Sequence, residues 1–222
     1  MIDDFIDSLK DSPKPLFNPW YHQDKEYDRV PNAPEIRREQ LRTYLRERVE
    51  KAKYLFIAEA LGYQGGHFTG IAMTSERILL GYQKENYGVE PSHVFKNRKP
   101  IRTSRPDLIE RGMSEPTATI MWGALIDMKI DPYETVLWNA LPWHPYNPDK
   151  GLLSNRTPTG DELAAGIGLL KRFLKIFADA KVIAVGRKCE ASLAELGVDC
   201  SPVRHPANGG APKFRKQVKS LL

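Results

Sequence analysis

The chain has 222 residues, with 33 Lys and Arg against 28 Asp and Glu, a formal charge of +5 and a sequence pI near 9.1. That length suits one domain whose core needs no metal or disulfide staple, and the basic surplus suits, without requiring, a phosphate-bearing partner. Two cysteines, Cys189 and Cys200, are too few for a structural zinc site or an iron–sulfur cluster, no apolar run approaches the roughly 20 residues of a membrane span, and the acidic start "MIDDFIDSLKDSPKP" is unlike a secretion signal, so the expectation is a cytoplasmic monomer away from membranes.

Residues 1–34 combine a short amphipathic piece (Ile2, Phe5, Ile6, Leu9) with the proline-rich, aromatic connector "SPKPLFNPWYHQ", which predicts a segment wrapped on the domain. From Glu35 to Lys51, Leu41, Tyr44, Leu45 and Val49 recur at helical spacing among many charges, so one face is predicted buried and the other wet. The apolar run "KYLFIAEA" predicts a first strand and is followed by a loop rich in glycine, at Gly62, Gly65, Gly66 and Gly70. Residues 81–114 read as an irregular insertion, in which Lys96, Arg98, Lys99, Arg102 and Arg105 occur with no acid between them. A helix over Glu115 to Met128 leads to a second strand, "TVLWNA".

The clearest helix spans Asp161 to Ala178, where Leu163, Ile167, Leu170, Leu174 and Phe177 keep the helical period and Thr159 with Glu162 offers a capping box. A third strand, "KVIAVG", a short helix from Arg187, a fourth strand at "DCSPVR" and a last helix from Pro212 to Leu221 complete the chain. Short apolar strands alternating with amphipathic helices predict an α/β fold, a three-layer α/β/α sandwich around a four-stranded parallel sheet. Such sheets bind ligands beyond the carboxyl ends of their strands, which brings Glu59, Asn139, Arg187 and His205 onto one rim.

Each of these residues has a plain reading beside a functional one. Glu59 leaves a buried strand, where a solitary carboxylate is costly unless paired, hydrated or functional; a loop acid bonded to backbone amides is the alternative. Asn139 either caps a neighbouring loop or reads a base edge with two hydrogen bonds. His205, before Pro206, is either a polar loop residue or a catalytic donor. His67 and His144 are candidate pocket liners, and no HExxH or HxH spacing occurs, so no metal site is assigned. The basic run Lys96 to Arg105 is a solvated loop by default, or a cationic segment beside the rim that tracks a phosphate backbone.

Three blocks, in order from about Tyr54 to Phe214, resemble the uracil-DNA glycosylase superfamily. "AEALG" and "GIAM" are similar to the GEAPG and GxPF pieces of its iron–sulfur branch. "WNALPWHPYNP" with "NRTPTGDE" is similar to that branch's asparagine strand and N-R-x-P-T-P-x-E sequence, and "RHPANGG" to its second catalytic motif. The resemblance implies hydrolysis of the bond joining a damaged pyrimidine to deoxyribose, with the base rotated out of DNA. It implies that Asn139 holds the uracil edge, that the backbone around Glu59, Ala60, Leu61 and Gly62 contacts its oxygens, and that Met73 covers the ring where the family has Phe. His205 would donate to the departing base, and Glu59 would hold the attacking water.

The sequence also departs from the family. Ala60 stands where the best-known branch has its water-activating Asp, and the cluster cysteines are missing, with Trp143 near one of their places, so no iron–sulfur cofactor is expected. Asn208, Gly209 and Gly210 replace the bulky wedge that fills the vacated stack; Phe214 or Arg215 is the substitute candidate, and the glycines allow close approach to a phosphate. The expected partner is therefore uracil-containing or deaminated DNA. A catalytically silent DNA- or RNA-binding member of the fold and a nucleoside hydrolase are the alternatives.

Overall fold

The computed structural model describes all 222 residues. In chain order the elements are α1 (Ile2–Asp7), β1 (Leu16–Phe17), α2 (Ala33–Arg46), β2 (Tyr54–Ala60), the short helices α3 (Gly66–Thr69), α4 (Glu76–Leu79), α5 (Lys84–Tyr87) and α6 (Pro91–Val94), then α7 (Pro116–Asp127), β3 (Thr135–Leu141), β4 (His144–Pro145), α8 (Gly160–Ile176), β5 (Lys181–Val185), α9 (Arg187–Glu195), β6 (Ser201–Val203) and α10 (Ala211–Leu221). Strands β3-β2-β5-β6 form one parallel sheet in that order, and β1 with β4 forms a separate antiparallel pair. Helices cover both faces, which makes the fold a three-layer α/β/α sandwich. No helix is long and apolar enough to cross a membrane.

The central strands are apolar on both sides because both sides are covered. Leu55, Phe56 and Ile57 of β2 and every residue of β3 are buried. Side chains alternate between the two faces, and β3 shows which face is which. Trp138 stacks on Phe173 of α8 at 4.6 Å and meets Phe5 of α1, so its neighbour Asn139 projects to the opposite face. There α7 and α10 meet through an ion pair between Asp127 and Arg215.

Helix α8 begins as its residues dictate: Thr159 Oγ accepts the Glu162 N–H, the Glu162 carboxylate accepts the Thr159 N–H at 2.9 Å, and Arg156 pairs with the same carboxylate. It lies unusually close to β3. A Cβ on Gly166 would sit 2.8 Å from the Ala140 carbonyl oxygen, so only glycine lets helix and strand backbones approach this far.

Helix α2 has the expected buried and wet faces, and its buried face also carries charged and polar side chains. Arg37 and Gln40 on α2, and Arg48 just after it, are fully buried. Arg37 pairs with Asp28 and donates to the carbonyls of Pro19 and His22, while Arg48 donates to the carbonyls of Thr135, Tyr44 and His93 and lies over the Tyr44 ring. These cations are buried because surrounding irregular segments supply carbonyls in the right directions. Periodicity places Arg37, Gln40 and Arg48 on the stripe of Leu41 and Tyr44 but does not name their partners. The N-terminal residues pack in the same way: the Trp20 indole donates to the Gly70 carbonyl and stacks on Trp138.

Candidate active site

Two segments converge where β2 and β6 end. Glu59 and His205 line one cavity of about 620 Å³ with Gly186, Arg187, Lys188, Arg204 and Lys213. Glu59 faces the α9 side, because Ala58 and Ala60 pair in register with Asn139 and Leu141 and share their face. Its carboxylate accepts from Lys188 Nζ at 2.9 Å and is partly exposed. Pairing and hydration therefore both offset the cost of an acid at the end of this strand. Nothing in the sequence pattern marked Lys188.

His205 is held in a defined protonation pattern. The Ala207 N–H donates to its Nδ1 at 3.1 Å, so the neutral ring carries its proton on Nε2. Burial lowers its pKa below the ordinary imidazole value, against an opposing pull from Glu59. The loop that does this is tightly wound: Asn208 and Gly209 have φ of 52° and 71°, and a Cβ on Gly210 would lie 2.0 Å from the His205 carbonyl oxygen. Asn208 and Gly209 are exposed at its tip and Gly210 is buried beneath it.

On the α7 face of the same edge, Asn139 is 2 % exposed and its Oδ1 has no hydrogen-bond partner in the protein. Ala58 is its register neighbour, four residues before Gly62. Met73 is buried with φ of 47°, a left-handed conformation that costs a bulky residue roughly 1–2 kcal/mol. Leu61 requires a correction: its N–H donates to the Leu141 carbonyl and its side chain is buried against Gly66, so that amide is not free for a base.

Glu115 stands immediately before α7, where the sequence alone shows only an acid at a helix start. Its Oε2 is buried and has no protein partner. Burial raises the carboxyl pKa to about 8, so the group is largely neutral at pH 7. The unfolded chain loses this proton near the ordinary carboxyl value of 4.5, whereas the folded chain keeps it. Stability conferred by this residue therefore falls as pH rises from about 4.5 to about 8, and levels off above. Glu115→Gln lacks this titration, so its unfolding free energy relative to wild type is expected to climb across that window; denaturant titrations at several pH values check it.

A buried polar chain lies beside this turn. Asp24 accepts the Glu26 and Tyr27 N–H groups and contacts His67 Nε2 at 2.9 Å, and His144 Nε2 donates to the Ser154 carbonyl at 2.7 Å. The two Nδ1 atoms face each other at 3.4 Å. Desolvation is the largest influence on both rings, pushing His144 down to about 3 and lowering His67. Both are fully buried and so brace the loops from within, rather than lining an open pocket.

The cationic segment is not a strip along the rim. The N–H groups of Lys96 and Asn97 bind Glu47, beyond the end of α2 and near the start of the central strands. The chain then runs back along α2, through Ile101 on Gln40, to Thr103 and Ser104, which donate to the buried Glu76 carboxylate. Lys96 and Lys99 are exposed and Arg98 is partly buried, all on this return path. Arg102 is engaged by the carbonyls of Ser104, Ile109 and Glu110, and Arg105 pairs with Asp107. The long-range anchor at Glu47 is what carries Lys96 to the opposite edge of the sheet.

Both substitute wedges are also corrected. Phe214 is 1 % exposed in the core, and Arg215 is paired with Asp127 at the far end of α7. By contrast, a cavity beside Pro116 carries Arg77, Arg111 and two half-exposed tyrosines, Tyr82 and Tyr87. The donor set does not fit the iron–sulfur cluster of the branch that the motifs resemble. Only two thiols exist, the buried Cys189 thiol is pushed up by desolvation, and no three His, Cys, Asp or Glu side chains group together as metal ligands.

No protein-family model and no curated protein sequence matches the chain. Among solved structures it is similar to the crystal structure of wild-type Pedobacter heparinus SMUG2, with a TM-score of 0.58 and 11 % identity over 99 % of this chain and 95 % of that one. At that identity the likeness is one of fold, and it extends from the first helix to the last.

Proposed function

We propose that this protein is a DNA glycosylase that hydrolyses the N-glycosidic bond of uracil, or of a related deaminated base, flipped out of DNA. The observation that carries the reading is Asn139: a buried amide at a strand end with its Oδ1 unpartnered. An orphaned polar atom of this kind costs about 1–3 kcal/mol unless a ligand meets it. A pyrimidine imide offers the N–H that Oδ1 lacks and a carbonyl for the amide N–H. The motif resemblance and the fold shared with SMUG2, a glycosylase of the uracil-DNA glycosylase superfamily, support the same reading.

In the proposed reaction the bond from the base nitrogen to the sugar breaks with its electron pair leaving on the base. His205 Nε2–H donates to the base as negative charge develops, an interaction that strengthens in the transition state. The Glu59 carboxylate, which accepts from Lys188, offsets positive charge on the sugar and holds the water that adds to it, whose released proton passes to the departing base anion. Arg187, Arg204 and Lys213, which line the same cavity, and the Asn208–Gly210 turn would meet the phosphates flanking the flipped nucleotide. Tyr82, Tyr87, Arg77 and Arg111 offer a second surface for the strand, by stacking and charge.

The purified protein is expected to release free uracil from a uracil-containing oligonucleotide and leave an alkali-labile abasic site. No release of uracil, hypoxanthine or xanthine from single- or double-stranded DNA would reject the activity. The missing wedge favours a second reading, a silent member that binds damaged DNA. Salt-sensitive binding with no base release would select it.

A further inference from the structure

We propose that Glu115 is a specificity-determining residue of the base site, meeting the edge of the flipped base beside Asn139 and favouring bases that present a carbonyl oxygen there. The identity of the ligand rests on the glycosylase reading. The placement rests on geometry of its own.

The turn after β2 is shaped around this carboxyl. A Cβ on Gly65 would lie 1.9 Å from Glu115 Oε2 and 2.8 Å from its carboxyl carbon, and a Cβ on Gly62 would lie 3.5 Å from Oε1. Gly65, with φ of −125° and ψ of −97°, leaves open the space that this carboxyl fills. The loop has given the room of a side chain to an acid from another element. That acid makes no hydrogen bond in return: Oε2 is buried without a partner. A carboxyl left so has no structural benefit to offset its desolvation, which is the mark of a group kept for a ligand.

Asn139 is another buried side chain with an orphaned atom, and it projects to the α7 face, which Glu115 opens. Gly62, which touches Glu115, lies just past the strand paired with Asn139. The nearest further side chain is Asn155, whose Nδ2 would lie 4.0 Å from a Gly62 Cβ. Acid and amide thus flank one turn at the ligand-binding end of the sheet. Being largely neutral at pH 7, the acid carries an O–H donor, which an ionised carboxylate lacks. Deamination replaces an amino group on a base by a carbonyl oxygen, and a carbonyl needs such a donor. Facing an amino group, the acid can only accept through its other oxygen and leaves its O–H unpaired, and leaving a buried donor unpaired is what makes a polar site selective.

The test uses the full chain with two probes: oligonucleotides containing deoxyuridine, for release, and oligonucleotides containing hydrolysis-resistant, fluorine-substituted deoxyuridine or deoxycytidine, for binding. Glu115→Gln, whose amide keeps a donor, is expected to stay within about threefold of wild type in both measurements. Glu115→Ala is expected to lower the uracil-to-cytosine binding ratio on the order of tenfold or more, with affinity for undamaged DNA unchanged. Gly65→Ala, which displaces the carboxyl without removing it, should act like Glu115→Ala and serves if that variant does not fold. An unchanged ratio in folded Glu115→Ala or Gly65→Ala overturns the inference. Wild type that binds the uracil analogue preferentially but releases nothing, with the preference lost in Glu115→Ala, would remove the glycosylase activity and leave the Glu115 assignment standing. Wild type with neither release nor preference would remove both.

Discussion

His205→Ala protein is expected to release uracil on the order of 10²–10³-fold more slowly than wild type, with the fold and DNA affinity retained. The size follows from when the interaction acts. A neutral donor gives little to a neutral base in the ground state and much to a base acquiring negative charge, so the loss falls on turnover and not on binding. The structure prepares this donor, since the Ala207 N–H occupies Nδ1 and leaves the ring proton on Nε2. Because burial lowers the His205 pKa, the neutral ring persists below the ordinary imidazole range, and the acid limb of the wild-type pH–rate profile is expected there. Single-turnover release with excess enzyme measures both. A rate within threefold of wild type would exclude His205 from the chemistry.

The largest expected effect on stability lies elsewhere. Arg37 and Asp28 form a pair at 2.7 Å with both side chains 0 % exposed. Arg37→Leu leaves the Asp28 carboxylate buried without its cation, a change that costs about 3–5 kcal/mol. Removing both charges should cost much less than the two single losses combined, because neither is then left alone. Denaturant midpoints for the two single variants and the double variant would show this coupling, and additive losses would contradict it. The damage is expected to reach the site, for Asp28 also accepts the Asp24 N–H, and Asp24 holds His67.

The layered fold was legible in the sequence because its signals are local. Strands β2 and β3 announce themselves as apolar runs bounded by turn residues, and α8 shows its period and its capping box within a single stretch. The residues just beyond the strands were legible for the same reason, since a parallel sheet fixes where its carboxyl edge lies. What sequence missed is held by long-range contacts. Glu115 is explained by Gly65, fifty residues earlier in the chain, and the path of residues 96–104 by Glu47, Gln40 and Glu76. Arg37 and Arg48 lie on the buried stripe that the period of α2 defines, but their partners, the Asp28 carboxylate and the carbonyls of distant segments, are not visible in it. Lys188 has no signature beyond following the Gly186 that ends a strand.

The missing side chain at Gly166 has a meaning for recognition. With α8 pressed on the Ala140 carbonyl, the strand beneath Asn139 has nowhere to yield, so in the proposed reaction the amide would meet a base as a fixed template. The ordering cost is borne during folding and not at binding. A base with the wrong edge would then forfeit hydrogen bonds outright instead of being accommodated, and discrimination would need no induced fit.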